Sequence, residues 1–463
     1  MIRNSALAVV VSLLAYPLAF AERPGPGNGY AVDANLVFHD SKEGLVRVFY
    51  VTESSHSVPL ADEAPSNGVP DYVELVAEVA DTSLLTFAEM GYRLPLKDTQ
   101  FAAPKEVGGD DRLDIYLSDF ANADGSFPVD DCNSKPDVCA GYAIVENDFA
   151  GSNYPSTELG IKTVVSHELF HGVQNAYDAG QDSRWSEGSA VWAEEMVFPE
   201  QDDFDRYVGR FLEKPARPFD RDTGSAFGDP YPYGSALWPA FIAERFAVSA
   251  VREIWEECED HNGDNIDFLS ATDLVLATKY NSSLSDAWTE FTHWNLFTGT
   301  RADSSRAYKN GHSWSSVAFE ETQSGSNWSL KTSTEGLSAR YIPIEFSDAS
   351  SATVLSVDTE SLPTVASTFF PVSDGIVGDP IPFNQNLPLA DHPGLKGGVL
   401  ILTSAAPGAS LRRSIVSVGT QNGGCSAGKS THGLTTCFLL LFSLLCSSKP
   451  RSRLGCTFSE PRA

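Results

Sequence analysis

The sequence predicts an α+β protein in which a mixed helix-and-strand part precedes a small β-sandwich. Three runs with period-two alternation predict strands in the first part: residues 45–51, 113–117 and 141–145. An amphipathic helix is expected from about Asp71 to Met90, and apolar residues recur at helical spacing from about residue 186 to 294. After about residue 300, Ser, Thr and Gly become frequent and short strand-like runs alternate with turn signals, which is typical of a sandwich.

The bulk composition describes a globular and strongly acidic chain. Its 463 residues suffice for two or three domains, and 42% of them are hydrophobic, so disorder is not expected as the main state. There are 32 basic and 62 acidic residues, for a net charge of -30. Nucleic acids and anionic membranes attract basic surfaces, so this balance argues against both as partners.

The first residues predict export. Arg3 provides a positive start, residues 6–14 form a short apolar run, and Ala19-Phe20-Ala21 has small residues where a signal peptidase cleaves. We expect a signal peptide over residues 1–21 and a mature chain that begins at Glu22. The protein is therefore expected to be secreted or displayed on the cell surface.

The last segment, residues 421–463, has a composition of its own. A Gly-Gly-Cys sequence at residues 423–425 precedes an apolar run at residues 434–446, and Lys449, Arg451 and Arg453 follow. This order resembles bacterial C-terminal sorting tails, which implies attachment or processing at the envelope. A poorly ordered hydrophobic tail is the alternative.

Cysteine positions suggest one local disulfide. Cys132 and Cys139 flank a polar, turn-like segment, and export would allow them to oxidise. Cys258 has no evident partner and is expected to be a buried thiol.

The segment His167-Glu168-Leu169-Phe170-His171 carries the main chemical signal. Residues four apart share one face of a helix, so His167 and His171 can direct both imidazoles at one cation. Glu168 lies beside them, where it can take a proton from a metal-bound water. Apolar residues surround the motif, and polar groups placed inside such a surface need a function or a partner.

A second acidic segment follows at Trp185 to Glu195, and fifteen residues separate its Glu187 from His171. Ser186 is a candidate N-cap, and a helix starting there would place Glu187 in its first turn, from which it could reach the metal. Two histidines and one glutamate would leave the fourth position of a catalytic zinc ion open to water.

This arrangement resembles the gluzincin metallopeptidases, in which a glutamate on a following helix completes the metal site. The aminopeptidases of that group carry an Asn-Glu-Gly-Phe-Ala element there, and Glu187-Gly188-Ser189-Ala190 matches its Glu-Gly-x-Ala portion. The resemblance implies Glu187 as the third zinc ligand and Glu194 as the partner of a ligand histidine. Ser186 departs from the pattern, since it stands where those enzymes have asparagine.

The resemblance also implies a fold and an activity. It implies a zincin-like catalytic domain over residues 22–304, made of a mixed sheet, an active-site helix and a helical subdomain, before a β-sandwich domain over residues 305–420. A Gly-x-Met-Glu-Asn element, which helps aminopeptidases to hold a free amine, is absent from the sequence. An endopeptidase is therefore favoured, and the chain as a whole resembles secreted metalloproteases of predatory and soil bacteria.

The expected mechanism uses water activated by zinc, with Glu168 as general base. Gluzincins often use a downstream tyrosine to stabilise the oxyanion, and this suggests Tyr233, with Tyr231 in reserve. An aromatic core residue is the alternative for either tyrosine. The strand at residues 141–145 is a candidate edge strand for binding extended peptide.

Residues 62–71 faintly resemble a calcium-binding loop, which would make a structural Ca²⁺ ion a second cofactor. A solvated acidic turn is the favoured interpretation, because the spacing of an EF-hand is absent.

Taken together, the sequence predicts a secreted zinc endopeptidase that acts on polypeptide substrates. A catalytically inactive surface binding or adhesion protein with the same fold is the alternative.

Overall fold

The computed structural model describes residues 23–420, except for short segments at 64, 98, 100–107, 121–122, 134–137, 201–202, 222–228, 260–264, 347–352 and 360–364. The predicted signal peptide and the predicted sorting tail lie outside the described residues. Within those residues, the chain up to Thr420 forms one compact unit.

The part before residue 305 contains both strands and helices. Its strands are β1 (Gly25–Pro26), β2 (Gly29–Tyr30), β3 (Val37–Asp40), β4 (Val46–Tyr50), β5 (Leu113–Leu117), β6 (Gly125–Ser126), β7 (Val129–Cys132), β8 (Cys139–Gly141) and β9 (Ala143–Val145). Its helices are α1 (Asp71–Glu89), α2 (Thr157–Asn175), α3 (Ser183–Val197), α4 (Asp203–Leu212), α5 (Tyr231–Gly234), α6 (Leu237–Arg245), α7 (Val248–Cys258), α8 (Phe268–Lys279) and α9 (Leu284–Leu296). The predicted α+β class is confirmed at this level.

A five-stranded mixed sheet supports the helices, in the order β3-β4-β5-β9-β6. The alternation that predicted β4 has a physical basis, because Val46, Val48 and Tyr50 are buried and the residues between them are only partly so. Helix α1 packs against β4 and α2, and α2 also contacts β6, β8 and β9. Helix α1 and the strands therefore cover one side of α2.

The prediction of an edge strand at residues 141–145 was wrong in two respects. The segment divides into the end of β8 and β9, and β9 is not at an edge, since it pairs in parallel with β5 and antiparallel with β6. Strand β6 lies outside it, with Gly125 opposite Val145 and Ser126 opposite Ile144. A two-residue strand has too little sequence to show alternation, which explains why it was not predicted.

Two helices carry the predicted motifs, and their starts are set by side-chain caps. Ser156 caps α2 by accepting a hydrogen bond from the Leu159 N–H at 3.2 Å. Asp182 caps α3 by accepting from the Arg184 N–H at 2.9 Å. The predicted N-cap at Ser186 was therefore wrong, and Glu187 lies in the second turn of α3.

The part after residue 305 forms two packed sheets. Its strands are β10 (Gln323–Ser324), β11 (Trp328–Thr334), β12 (Leu337–Glu345), β13 (Thr353–Thr359), β14 (Val365–Ser373), β15 (Ile376–Val377), β16 (Ile381–Phe383), β17 (Asn386–Pro388), β18 (Gly397–Ala405) and β19 (Arg412–Thr420). One sheet has the order β10-β12-β18-β14-β15, with β16 also paired to β14, and the other has the order β11-β19-β13-β17.

The first of these sheets is buried on both faces. Ile342 and Leu400 point into the core between the two sheets, whereas Tyr341 and Ile401 belong to the core of the helical part. Every residue of β18 is buried, which agrees with its continuous apolar run.

Buried hydrogen bonds join the sheet to the helices. The Tyr341 hydroxyl donates to the Thr292 carbonyl of α9 at 2.7 Å, and the Thr292 and Thr403 hydroxyls lie 2.8 Å apart. A part-buried bond adds to these, because Asp220 in the loop after α4 accepts from the Leu337 N–H at 2.6 Å. The predicted boundary between residues 304 and 305 stays a prediction, and the shared core leads us to expect that both parts unfold together.

Two smaller predictions concern cysteines and the acidic loop. Cys132 and Cys139 form the expected disulfide, and Cys258 is a buried free thiol. In the loop at residues 62–71, the Asp62 carboxylate accepts from the N–H groups of Asn67 and Gly68, each at 2.9 Å. These bonds are typical of a turn that satisfies its own backbone.

The shared core leads to a stability prediction. Replacing the fully buried Ile401 by alanine is expected to lower the free energy of unfolding by about 2–5 kcal/mol, in a single urea transition. The matched control is Ile415→Ala, at a side chain 41% exposed on the neighbouring sheet, with an expected loss below about 1 kcal/mol. Two separate transitions by fluorescence and circular dichroism would contradict a shared core.

Candidate metal centre

Three metal-binding side chains converge between α2 and α3. His167 and His171 are one turn apart on α2, Glu187 faces them from α3, and all three are at most 4% exposed. The two Nε2 atoms are 3.1 Å apart, and Glu187 Oε2 lies 3.1 Å from His167 Nε2 and 3.6 Å from His171 Nε2. In the described part of the chain, this is the one group of three or more His, Cys, Asp or Glu side chains that could hold a metal ion.

Each histidine has a separate partner behind it. His167 Nδ1 lies 2.6 Å from Glu194 Oε1, as expected for the predicted partner of a ligand histidine. His171 Nδ1 lies 2.8 Å from Gln174 Oε1, a contact that the sequence did not lead us to predict. Its position three residues after His171, on the same helix face, was the available signal.

These outer contacts fix which atoms face one another inside the site. A carboxylate and an amide oxygen both accept, so each neutral histidine donates from Nδ1 and keeps its lone pair on Nε2. Two nitrogen lone pairs and one carboxylate oxygen then meet in a buried space with no proton between them. Such a cluster is unfavourable unless a cation or a proton occupies its centre.

The spacing suits a small tetrahedral cation. Zinc binds histidine nitrogen and carboxylate oxygen at about 2.0–2.1 Å, which puts neighbouring ligand atoms about 3.3 Å apart. The observed separations of 3.1, 3.1 and 3.6 Å lie close to that value. The donor set of two imidazoles and one carboxylate is also one that catalytic zinc uses.

Glu168 lies beside this cluster on α2. It is fully buried, and neither carboxylate oxygen has a hydrogen-bond partner among the described residues. Burial raises its pKa to about 7. A buried carboxylate without a partner costs about 1–3 kcal/mol or more, which suggests that water or a substrate group belongs beside it.

Two glycines permit the close packing around the site. A Cβ atom at Gly125 of β6 would lie 2.8 Å from Glu168 Oε1 and 2.5 Å from a Val164 methyl. A Cβ atom at Gly188 of α3 would clash with Ser235 Oγ, just after α5. The missing side chains thus let the edge strand approach Glu168 and let α5 approach the helix of Glu187.

The two candidate tyrosines have different surroundings. The ring of Tyr233 lies 6.1 Å from the ring of His167, and burial, with Glu187 nearby, raises its pKa well above the usual range. It therefore remains a phenol that can donate a hydrogen bond. Tyr231 stacks on Phe211 at 5.4 Å and lies beneath Arg217, so it is a core aromatic residue, as the alternative interpretation allowed.

Charges in the metal-free cluster are strongly coupled. Burial raises the pKa of Glu187, but hydrogen bonds and charges from His167 and His171 outweigh it and bring the pKa to about 2. Burial would lower the pKa of His167, yet Glu187 and Glu194 hold it well above the usual value. Without metal, the cluster therefore retains protons at neutral pH.

A small cavity adjoins His167 and Glu168. Its other walls come from the four helices α2 to α5 and from the loop before α2. They are Tyr154, Thr163, Val164, Val191, Glu194, Asp203, Tyr207 and Tyr233. Tyr207, which stacks on Tyr233 at 5.0 Å, carried no signal in the sequence. All six predicted site residues thus lie together in the structure, and Tyr231 lies apart from them.

No protein-family model and no curated protein matches the chain. A crystal structure of Legionella pneumophila aminopeptidase A in complex with aspartic acid shares 10% identity at a TM-score of 0.36. That match covers 76% of this chain, which spans 35% of the length of the aminopeptidase.

Two further matches are periplasmic inhibitors of g-type lysozyme. The Salmonella Typhimurium protein shares 12% identity at a TM-score of 0.16, over 22% of this chain and 100% of its own. An Escherichia coli mutant shares 11% identity at a TM-score of 0.14, over 21% of this chain and 97% of its own. At such TM-scores, none of these similarities defines the fold.

None of the helices in the described ranges is both long enough and apolar enough to span a bilayer.

The coupled charges predict that metal binding releases protons. Zinc requires His167 in its neutral form, so binding should expel the proton that the raised pKa retains, and zinc affinity should increase as the pH rises. Titration calorimetry at about pH 7 in two buffers of different ionisation enthalpy measures the released protons. Equal heats in both buffers would contradict this.

Proposed function

We propose that this chain is a secreted zinc-dependent endopeptidase with a zincin-like catalytic domain of the gluzincin type. His167, His171 and Glu187 are the zinc ligands, Glu168 is the general base, and Tyr233 stabilises the oxyanion. Polypeptides are its substrates, and residues 1–21 direct its export.

One observation carries the proposal. A buried set of three metal donors has beside it a fully buried carboxylate, Glu168, with neither oxygen hydrogen-bonded within the described residues. A site that served only to hold a structural metal would have no use for this costly neighbour. A site for hydrolysis needs a base at this position.

The chemistry follows from the roles of the side chains. Zinc, when bound, supplies the Lewis acidity that polarises a carbonyl and makes water more acidic. Glu168 accepts the proton of the attacking water and delivers it to the leaving amine. The Tyr233 hydroxyl donates a hydrogen bond to the carbonyl oxygen as negative charge develops there. Glu194 keeps the Nε2 lone pair of His167 directed at the ligand position.

The general base can be tested with an isosteric variant. Glu168→Gln is expected to lower the rate of casein hydrolysis by a factor of about 10² or more and to leave zinc content unchanged, because the amide cannot accept the proton. The matched control is Glu158→Gln on the same helix, at a side chain that is 59% exposed, and it should retain full activity. Retained activity in Glu168→Gln would contradict the assignment of the base.

The same assay separates the two functions considered for the chain. Wild-type protein with one zinc ion per chain should cleave casein or gelatin and lose this activity with a chelator. Protein that binds zinc stoichiometrically and cleaves nothing would instead favour a surface binding or adhesion role. Equal cleavage of peptides with blocked and free amino termini is expected of an endopeptidase.

The oxyanion role predicts different effects for the two tyrosines. Tyr233→Phe should lower kcat by a factor of about 10²–10³ with little change in KM, because the lost hydrogen bond acts mainly in the transition state. Tyr231→Phe, which removes a buried hydroxyl in the adjacent core, should leave kcat within about twofold. Similar losses of kcat in both variants would mean that packing, not hydrogen bonding, is responsible.

A further inference from the structure

A buried polar network lies behind His171 and connects the two ligand-bearing helices. Gln174 is 2% exposed, and its Oε1 is 2.8 Å from His171 Nδ1. Its Nε2 lies 2.7 Å from the Ser186 carbonyl and 3.1 Å from Ser189 Oγ, both on α3. One side chain therefore contacts a metal donor on α2 and the segment of α3 that flanks Glu187.

Which atoms donate and which accept between Gln174 and α3 can be deduced, because some of the atoms involved can only donate and others can only accept. The hydroxyl of Ser189 donates to the Trp185 carbonyl at 2.7 Å, so its lone pairs accept from Gln174 Nε2 and from the Trp255 indole N–H at 3.2 Å. The Ser186 carbonyl can only accept. Both contacts require the nitrogen of the Gln174 amide to face α3.

The amide oxygen must then face His171. That oxygen only accepts, so His171 donates from Nδ1, and its Nε2 carries the lone pair toward His167 and Glu187. The backbone of α3 thereby fixes the tautomer of a histidine on α2, through a single intervening amide.

We propose that Gln174 is a positioning residue for the metal site. It holds His171 in the Nδ1-protonated tautomer, with Nε2 directed at the ion, and it links this orientation to the helix that carries Glu187. The inference rests on the zinc site of the proposed function and extends it to a residue outside the ligand set.

A glutamine suits this position better than a carboxylate. Glu168, Glu187 and Glu194 already bring three acidic side chains into the buried site. A fourth would add an unfavourable buried charge, and its second oxygen would face the Ser186 carbonyl, where two acceptors repel each other. A neutral amide accepts from His171 through its oxygen and donates to α3 through its nitrogen, and it adds no charge.

The test compares zinc affinities by competition with a chromogenic chelator. Gln174→Met keeps the length of the side chain and removes its hydrogen bonds, so zinc affinity should fall by a factor of about 10–100. The matched control is Asn295→Leu, at a buried amide on α9 that accepts from the Tyr308 hydroxyl at 2.7 Å. It should lower the melting temperature and leave the affinity within about twofold.

A folded Gln174→Met protein with the affinity of the wild type would overturn the inference. If that variant does not fold, the tautomer of His171 in the wild-type protein tests the inference. Nitrogen-15 spectra are recorded on metal-free protein labelled at histidine, and a His171→Gln variant identifies the His171 signals. They should show the His171 proton on Nδ1. A proton on Nε2 instead would overturn the inference. Wild type that binds no zinc would overturn both this inference and the proposed function, whereas zinc binding without peptide cleavage would overturn the proposed function alone.

Discussion

Two imidazole nitrogens and a carboxylate oxygen meet in a buried space between α2 and α3, and much of the surrounding structure follows from this. Each of these groups would cost free energy if it were left without a partner, and together they repel one another. A cation at the centre removes both penalties. The outer nitrogens of the imidazoles must then be held separately, by a carboxylate on His167 and by an amide on His171.

The need to bury this cluster explains the character of α2. Every residue from Thr163 to Gln174 is buried, so the helix lacks the polar stripe of a surface helix. One side packs on α1 and the sheet, where Phe170 meets Phe87 with ring centres 5.1 Å apart. The opposite side meets α3, and its polar residues are those of the metal cluster. Both histidines and Gln174 of this helix have polar partners, whereas the Glu168 carboxylate has none among the described residues.

Close packing then determines what lies around the cluster. The strand that borders Glu168 and the short helix that carries Tyr233 both come near because Gly125 and Gly188 lack side chains. A methyl group at Gly125 would have to displace Val164 or Glu168, and one at Gly188 would have to displace Ser235, which follows the helix of Tyr233. The C-terminal sheets contribute indirectly, since β12 and β18 complete the core against which α9 and its neighbours pack.

The sequence by itself determined the α+β class, the extent of α1, the strand β5, the disulfide and the members of the cluster on α2. These features depend on periodicity or on a short spacing along the chain, which a linear pattern records. The N-cap of α3 was misplaced by four residues, because Asp182 and Ser186 are both good caps and only the packed chain selects between them. The contact of Gln174 with α3, the packing of Tyr231 in the aromatic core, and β6 as the strand outside β9 were decided by the tertiary structure alone. Each depends on contacts between residues that are distant in sequence or on a hydrogen-bond direction, and neither leaves a periodic trace in the chain.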